Sequence, residues 1–240
     1  NSQQISFLHA FATKAFRVNY KGDWLNLFGK ADLVLKADVY APDNTQNFFG
    51  VGNESTYTER IRYYRTRFNI YQVESSLRWR RPKSTFSIGT QFQQYKFDPD
   101  GNVGRISTNP SAMHSFDSLN VTANKLFGGI VVNFVNNTRD NDILPTLGSY
   151  IDFKWTAFAG LSKHADSYGQ FTGNISLYKN LDGRAKFVLA NRFGGGITVG
   201  KPAFYQNQFL GGQGNLLGYR QFQFAGQHSF YNNVELRAKL

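Results

Sequence analysis

The sequence predicts an all-β chain, a transmembrane antiparallel β-barrel, on three observations. Apolar and polar residues alternate with period two along most of the chain, as strands with one face in a nonpolar medium require. The alternating runs are about 10 to 14 residues long, whereas strands of soluble domains have a mode near five or six. The connections alternate short and long, as in a barrel with tight turns at one membrane surface and loops at the other.

The elements follow in order. Phe16, Val18, Tyr20 and Trp24 are interleaved with Arg17, Asn19, Lys21 and Asp23. Leu33, Leu35, Ala37 and Val39 stand against Asp32, Lys36 and Asp38. Phe68 and Ile70 alternate with Arg67 and Asn69, and Leu77 and Trp79 with Arg78 and Arg80. The parity slips between these two sets, near Val73, which predicts a β-bulge. Phe86, Ile88 and Phe92 face away from Ser87, Gln91 and Gln93. Ile151, Phe153, Trp155 and Ala157 oppose Asp152, Lys154 and Thr156. Phe171, Ile175 and Leu177 oppose Gln170, Thr172, Asn174 and Ser176. Ala185, Phe187 and Leu189 oppose Lys186 and Arg192, and Val234, Leu236, Ala238 and Leu240 oppose Glu235, Arg237 and Lys239. This gives roughly ten strands and no segment with a helical period.

Short turns are expected near Phe28–Ala31, Arg81–Lys83 and Lys179–Gly183. Long loops are expected near Pro42–Arg60, Asp98–Ser118 and Gly200–Gly226, with a shorter outer hairpin at Leu161–Ser167. A soluble sandwich would show the same alternation. The strand lengths and the uniform apolar face favour the barrel, and Tyr63, Tyr64, Trp79, Tyr95, Phe97, Tyr150 and Tyr168 at strand ends suit its interfacial girdles.

Net charge is +11, from 27 Lys and Arg against 16 Asp and Glu. No run of five basic residues occurs, and the densest cluster is Arg78, Arg80, Arg81 and Lys83. A nucleic-acid surface is therefore not expected. A charge facing lipid at mid-bilayer costs about 2–4 kcal/mol, so the strand cations belong in a lumen. That set is Arg17, Lys21, Lys36, Arg65, Arg67, Arg78, Arg80, Lys154, Lys186, Arg192 and Arg237.

No cofactor, metal or catalytic residue is expected. The chain has no Cys, and His9, His114, His164 and His228 are scattered. Gly194-Gly195-Gly196 is not followed by a phosphate-loop Lys, and Asp140-Asn141-Asp142 lacks the glycine and closing glutamate of a calcium loop. No apolar run reaches the length of a transmembrane helix. The chain opens on NSQQ, without an initiating Met or a signal segment, and is expected to be a mature or excised piece.

Three segments carry a resemblance. Residues 203–226 read AFYQNQFLGGQGNLLGYRQFQFAG, crowding glycine among apolar bulk. Residues 138–148 read TRDNDILPTLG, and residues 47–54 read NFFGVGNE. The first resembles the sixth extracellular loop of the Omp85 superfamily, the BamA- and TamA-like outer-membrane barrels. In that loop an aromatic approach and a Gly-Gly pair precede an Arg-Gly-aromatic tip that folds back into the barrel. The loop-tip residues would be Gly211, Gly212, Leu217, Gly218, Tyr219 and Arg220. The second segment is similar to the family's short periplasmic turn, through Pro145, Thr146 and Gly148. The third resembles a subgroup whose barrel is fused to a metallophosphoesterase-like domain.

The resemblance covers essentially the whole chain and implies a single barrel domain over 1–240, incomplete at both ends, with an inward-folded loop at 200–226. The visible strands would be strands 3–12 of a barrel of about 16. It implies a bacterial outer-membrane location and a function in membrane-protein insertion or polypeptide translocation to the surface. The alternative is a passive anchor or pore for a fused N-terminal hydrolase domain. The implied partners are outer-membrane lipid, client or passenger polypeptides, and accessory periplasmic or lipoprotein subunits. One departure stands out. The family's tip arginine precedes the tip glycine, where this chain has Leu217; Arg220 is the nearest substitute, and Glu235 on the following strand is its expected lumenal partner.

Overall fold

The strands found in the structure, a computed structural model describing all residues except 12, 13, 43, 118, 119 and 240, run nearly the full length of the predicted ones. They are β1 (Ser2–Ala10), β2 (Ala15–Phe28), β3 (Ala31–Tyr40), β4 (Thr45–Asn47), β5 (Arg65–Arg80), β6 (Ser84–Phe97), β7 (Lys125–Asn137), β8 (Gly148–Gly160), β9 (Tyr168–Asn180), β10 (Phe187–Gly200), β11 (Gln208–Leu210), β12 (Phe224–Gly226) and β13 (His228–Ala238). Two single-turn helices, Ile61–Tyr64 and Pro110–Met113, lie in the loops. Leu240 and the end of the expected 98–118 loop, Ser118, lie outside the described residues.

The long strands form one antiparallel sheet in the order β1-β2-β3-β5-β6-β7-β8-β9-β10-β13, with β4 beside β5. β11 and β12 make a separate two-stranded pair. Each long strand pairs with its sequence neighbour except where the loop carrying β4, or the one carrying β11 and β12, intervenes. Among the described residues β1 and β13 are not paired with each other, so the sheet is open.

The two faces are inverted relative to a soluble protein. Phe86, Ile88, Phe92, Ile130, Phe134, Trp155, Phe171 and Ile197 are exposed on one face. Asp32, Glu74, Ser76, Ser87, Gln91, Thr156, Ser176 and Thr198 are buried on the other. Water would reverse this arrangement; hydrocarbon outside and a polar lumen inside account for it.

Several lumenal cations find acids, most of them across the strands. Lys36 Nζ lies 2.9 Å from Glu74, and Arg78 bridges Asp23 (2.9 Å) and Asp32 (3.1 Å). Arg80 Nε is 2.7 Å from Asp32, and Lys21 is 3.3 Å from Asp23. These residues sit on one face because Lys21, Lys36 and Glu74 are cross-strand partners in register, as are Asp32 and Arg78.

Three expectations are corrected. β5 pairs continuously with β3 and β6 past Val73, without a bulge; the register irregularity lies in β2 between Trp24 and Phe28. The apparent slip is a change of surroundings. Below Tyr71 the lumenal face is polar and the outer face apolar. Above it, Thr66 and Phe68 are buried on the inside, and Arg65 and Arg67 alternate with them on the outside. Arg65 and Arg67 are therefore not lumenal, and Lys186 falls in the turn before β10. The expected girdle also changes. Tyr64, Tyr95, Phe97 and Tyr168 are buried, Tyr63 packs against the same core and Tyr150 faces inward beneath Arg139, leaving Trp79 on the lipid side.

On β13, pleat parity sends Val234 and Leu236, each 64% exposed, outward and Glu235 and Arg237 inward. Single cysteines placed at 234 to 237 in this Cys-free chain are expected to separate accordingly. Water-soluble maleimide should label 235 and 237 and spare 234 and 236 in bilayers. Equal labelling of all four would refute the face assignment.

Candidate functional site

The residues between β10 and β13 do not rise into solvent. They lie on the lumenal side of the wall and cross it. Gln208 Nε2 donates to Thr198 Oγ1 on β10 at 2.9 Å, and Gln170 on β9 donates to the same hydroxyl at 3.2 Å and to the Gln206 carbonyl. Gly196 leaves room for this contact, since a Cβ there would overlap the Gln208 carboxamide. Further on, the buried Phe204 ring packs at 5.3 Å from both Phe48 and Phe68, and Tyr205 stacks on Tyr95 at 4.7 Å. The loop thus reaches from β10 to β5 and β6.

A second apolar core forms where it lands. Phe48, Phe49, Tyr64, Phe68, Tyr95, Phe97, Ile106, Met113, Val121, Phe204 and Ala225 are its buried members. They come from β5, β6 and three separate loops. The NFFGVGNE segment supplies Phe48 and Phe49 and is tied to the loop by Gly52 N–H donating to the Ala225 carbonyl at 2.8 Å. Beside this core the Lys125 ammonium is buried with Asp117. Its Nζ is 2.6 Å from the carboxylate and 2.7 Å from the Asn120 carbonyl, and it lies 5.4 Å from the Tyr95 ring centroid.

The glycines of the tip serve two ends. Gly211 has φ +121°, and a Cβ there would overlap the Arg220 carbonyl oxygen where the two arms of the loop meet. Gly212 and Gly218 also occupy left-handed backbone, and Gly212 N–H donates to the Tyr219 carbonyl at 3.0 Å. Asn215 closes the turn, accepting from Gly211 N–H at 2.8 Å and donating to the Phe209 carbonyl at 2.9 Å. The wall holds this end: Arg192 donates to the Gly214 carbonyl at 2.9 Å and Asn233 to the Asn215 carbonyl at 3.2 Å. Tyr219 packs on Phe224 at 5.1 Å, while Leu217 is exposed.

The expected Arg220–Glu235 pair is not formed. Arg220 lies over the Tyr57 ring, 4.0 Å from its centroid, at the outer end of the loop. Glu235 is bound by Arg237 on its own strand at 2.8 Å. Residues two apart on a strand share a face, so Arg237 satisfies the acid without help from the loop. Leu217 borders a cleft of about 600 Å³ that Glu235, Arg237 and Tyr178 also line. Arg220→Ala is accordingly expected to cost no more than about 1 kcal/mol, the scale of an exposed cation–π contact. Proteolysis of 200–226 from outside should stay close to wild type, and a large increase would restore an anchoring role for Arg220.

The turn at 138–148 is ordered by one acid. The Asp140 carboxylate accepts from Thr146 N–H (2.9 Å), Thr146 Oγ1 (2.5 Å) and Leu147 N–H (3.1 Å). Asn141 accepts from the amides of Ile143 and Leu144 at 2.8 and 2.9 Å. Gly148 has φ +104°, and a Cβ there would overlap the Thr138 carbonyl; the Pro145 carbonyl accepts from Arg237 at 3.4 Å. The Thr146 hydroxyl and the two amides hold Asp140 down to a pKa of about 2 from 3.8. A depressed folded-state pKa means that the turn is fully supported above the ordinary value and loses support as the pH falls through about 2. Protection of the Thr146 and Leu147 amides, their exchange relative to the intrinsic rate at each pH, should fall over that acid range, and Asp140→Asn should remove this pH dependence of protection. Protection that stays flat through that range in the parent protein would refute this role.

Long strands with an apolar outer face, an ionic inner face and a loop laid across the inside define the wall of an outer-membrane barrel. The family model of the Omp85 superfamily domain matches residues 14–240, and the chain belongs to that superfamily. This places it in the bacterial outer membrane. Among solved structures, its fold is similar to the crystal structure of BamA from Haemophilus ducreyi lacking POTRA domains 1–3, with a TM-score of 0.58 and 16% identity. That match covers 98% of this chain and 58% of the BamA chain, so the sequence spans a little over half the length of that chain. No curated protein matches in sequence.

Sequence reasoning picked out the loop and the turn but missed their partners. Tyr57, Lys125, Asp117, Gln170 and Thr198 carry no local signature of a site. Each meets the loop or its core through a contact that only the fold makes: Tyr57 beneath Arg220 from another loop, Lys125 with Asp117 beside Tyr95, and Gln170 and Thr198 from adjacent strands beneath Gln206 and Gln208.

Proposed function

We propose that this chain is the barrel of a protein that handles other polypeptides at the outer membrane, inserting barrel proteins into the bilayer or passing a linked passenger to the surface. The observation that carries the reading is the loop. Its contacts run from Thr198 to Phe68 across the lumenal side, so the lumen is occupied by the protein's own chain. A passive diffusion pore needs that space empty. Membership of the superfamily supports the same reading.

The periplasmic turn supports an accessory partner there. Ile143 is 94% exposed, Leu144 65% and Leu147 57%, on a backbone fixed by Asp140 and Asn141. Apolar side chains held rigidly in water suit a protein partner, an accessory periplasmic or lipoprotein subunit.

Reconstitution tests the reading. The full protein in liposomes should accelerate the folding of an added, urea-unfolded outer-membrane barrel over empty liposomes, or deliver its passenger to the outside. Neither effect, together with free flux of a small sugar, would identify a passive pore. Neither effect, with no flux and a tethered active hydrolase, would identify an anchor.

A further inference from the structure

Three aromatic rings cross the outer wall just inside the short turns. Trp79 and Phe86 are cross-strand partners, as are Phe86 and Phe134, so all three point to the lipid side. All three are exposed there, and the Trp79 and Phe86 ring centroids lie 5.9 Å apart. The rings border a cleft of about 580 Å³, a volume typical of small-molecule sites. The turns form its remaining wall: Lys30 from the turn between β2 and β3, and Arg81 and Ser84 from the turn between β5 and β6.

Those turns set two cations at the rim. Arg81 N–H donates to the Ser84 carbonyl at 2.8 Å and Ser84 N–H to the Arg81 carbonyl at 3.3 Å, which continues the pairing of β5 with β6 beyond Arg80 and Thr85. Pleat parity then puts Arg81 on the face of Trp79, about 7 Å of strand nearer to water. Asn137 N–H donates to the Lys83 carbonyl at 2.8 Å and pins this turn to the end of β7. Lys30 precedes Ala31, the cross-strand partner of Trp79. Lys30 and Arg81 are exposed, and neither pairs with an acid among the described residues. The acid that follows Lys30, Asp32, is turned to the lumen and held by Arg78 and Arg80. Elsewhere on this surface Arg139 has Asp142 at 3.0 Å.

We propose that Lys30 and Arg81 bind the phosphate of an anionic glycerophospholipid in the leaflet at the short-turn surface, the periplasmic leaflet of the proposed barrel. A guanidinium offers a phosphate two parallel N–H donors, and Lys30 adds a second positive charge. Trp79, Phe86 and Phe134 receive the upper part of the acyl chains, at the depth where aromatic rings meet the headgroups. A soluble phosphate compound would meet the cations but leave the rings uncovered. A lipid with no net charge would cover the rings but leave the second cation without a counterion.

The test uses the full protein in vesicles of phosphatidylethanolamine with a minor share of phosphatidylglycerol, one or the other brominated on its acyl chains. Bromine quenches a neighbouring tryptophan, and the part of the fluorescence that W79F removes reports the cleft. Brominated phosphatidylglycerol should quench that part as if it were enriched about tenfold beside Trp79. K30Q should lower the enrichment about threefold, and K30Q/R81Q should abolish it. K186Q/K239Q, which removes two charges from the same membrane surface, should leave it unchanged. Added glycerol 3-phosphate should not displace the lipid. Parent-like enrichment in K30Q/R81Q, or equal loss in K186Q/K239Q, overturns the site. Equal quenching by the two brominated lipids in the parent overturns the preference for an anionic headgroup. Loss of the enrichment with glycerol 3-phosphate, but not with sodium chloride of the same ionic strength, overturns the assignment to lipid.

Discussion

A polypeptide restricted to residues 1–240 is expected not to form a heat-modifiable barrel. Its sheet ends at β1 on one side and β13 on the other, and these strands do not meet. Each leaves a row of backbone N–H and C=O groups without a strand partner. In water those groups would be solvated; in hydrocarbon each costs several kcal/mol, and closed barrels span membranes because they leave none. Ile5 and Phe7 on β1, and Phe230, Val234 and Leu236 on β13, place these edges in the apolar band. The sum over two strands far exceeds the stability of an ordinary domain. After refolding into detergent or lipid, boiled and unboiled samples should migrate alike on a gel. A compact, boiling-sensitive band would refute the expectation by showing that β1 and β13 close on each other.

The second large effect is expected at Lys125. Its side chain is 1% exposed and that of Asp117 is 2% exposed, and Ser115 donates a further hydrogen bond to the carboxylate. Lys125→Ala leaves Asp117 charged, buried and without its cation, a loss of about 3–5 kcal/mol. The damage falls on the loop between β6 and β7, because Asp117 and Asn120 are there while Lys125 begins β7. Tyr95 donates to the Val121 carbonyl at 3.2 Å and stacks on Tyr205, so the loss also reaches the lumenal loop. External protease should cut the 98–124 segment readily in the variant and slowly in the parent. The double variant D117L/K125M, which removes both charges and keeps the volume, should recover most of the protection. Protection of K125A equal to the parent would show the pair to be dispensable.

The parts of the fold legible in the sequence are those on which lipid acts alone. Phe86, Ile88 and Phe92 must face hydrocarbon whatever lies inside, so period two gives their face and the run length gives the strand. At the top of β5 the same alternation is ambiguous. Phe68 and Arg67 exchange roles there because residues far away in the chain, Phe48 and Phe204, build an apolar core on the inside. No local pattern distinguishes an apolar face turned to lipid from one turned to a buried loop. The same ambiguity misplaced Tyr95 and Phe97 in a girdle. At the candidate site, glycine spacing carried the unusual backbone of Gly211, Gly212 and Gly218. It carried nothing about Arg220, whose partner Tyr57 sits in another loop.

The loop's attachment points have a mechanical consequence. β10 and β5 are ends of an arc, and the segment from Gln208 to Phe204 is a chord drawn between them. An arc with a fixed chord cannot flatten or tighten without breaking the chord or buckling between its ends. The curvature of β5 through β10 is thereby set, Asn233 ties β13 to the tip of the same loop, and bending of the wall is confined to the stretch the loop does not brace, β1 to β3.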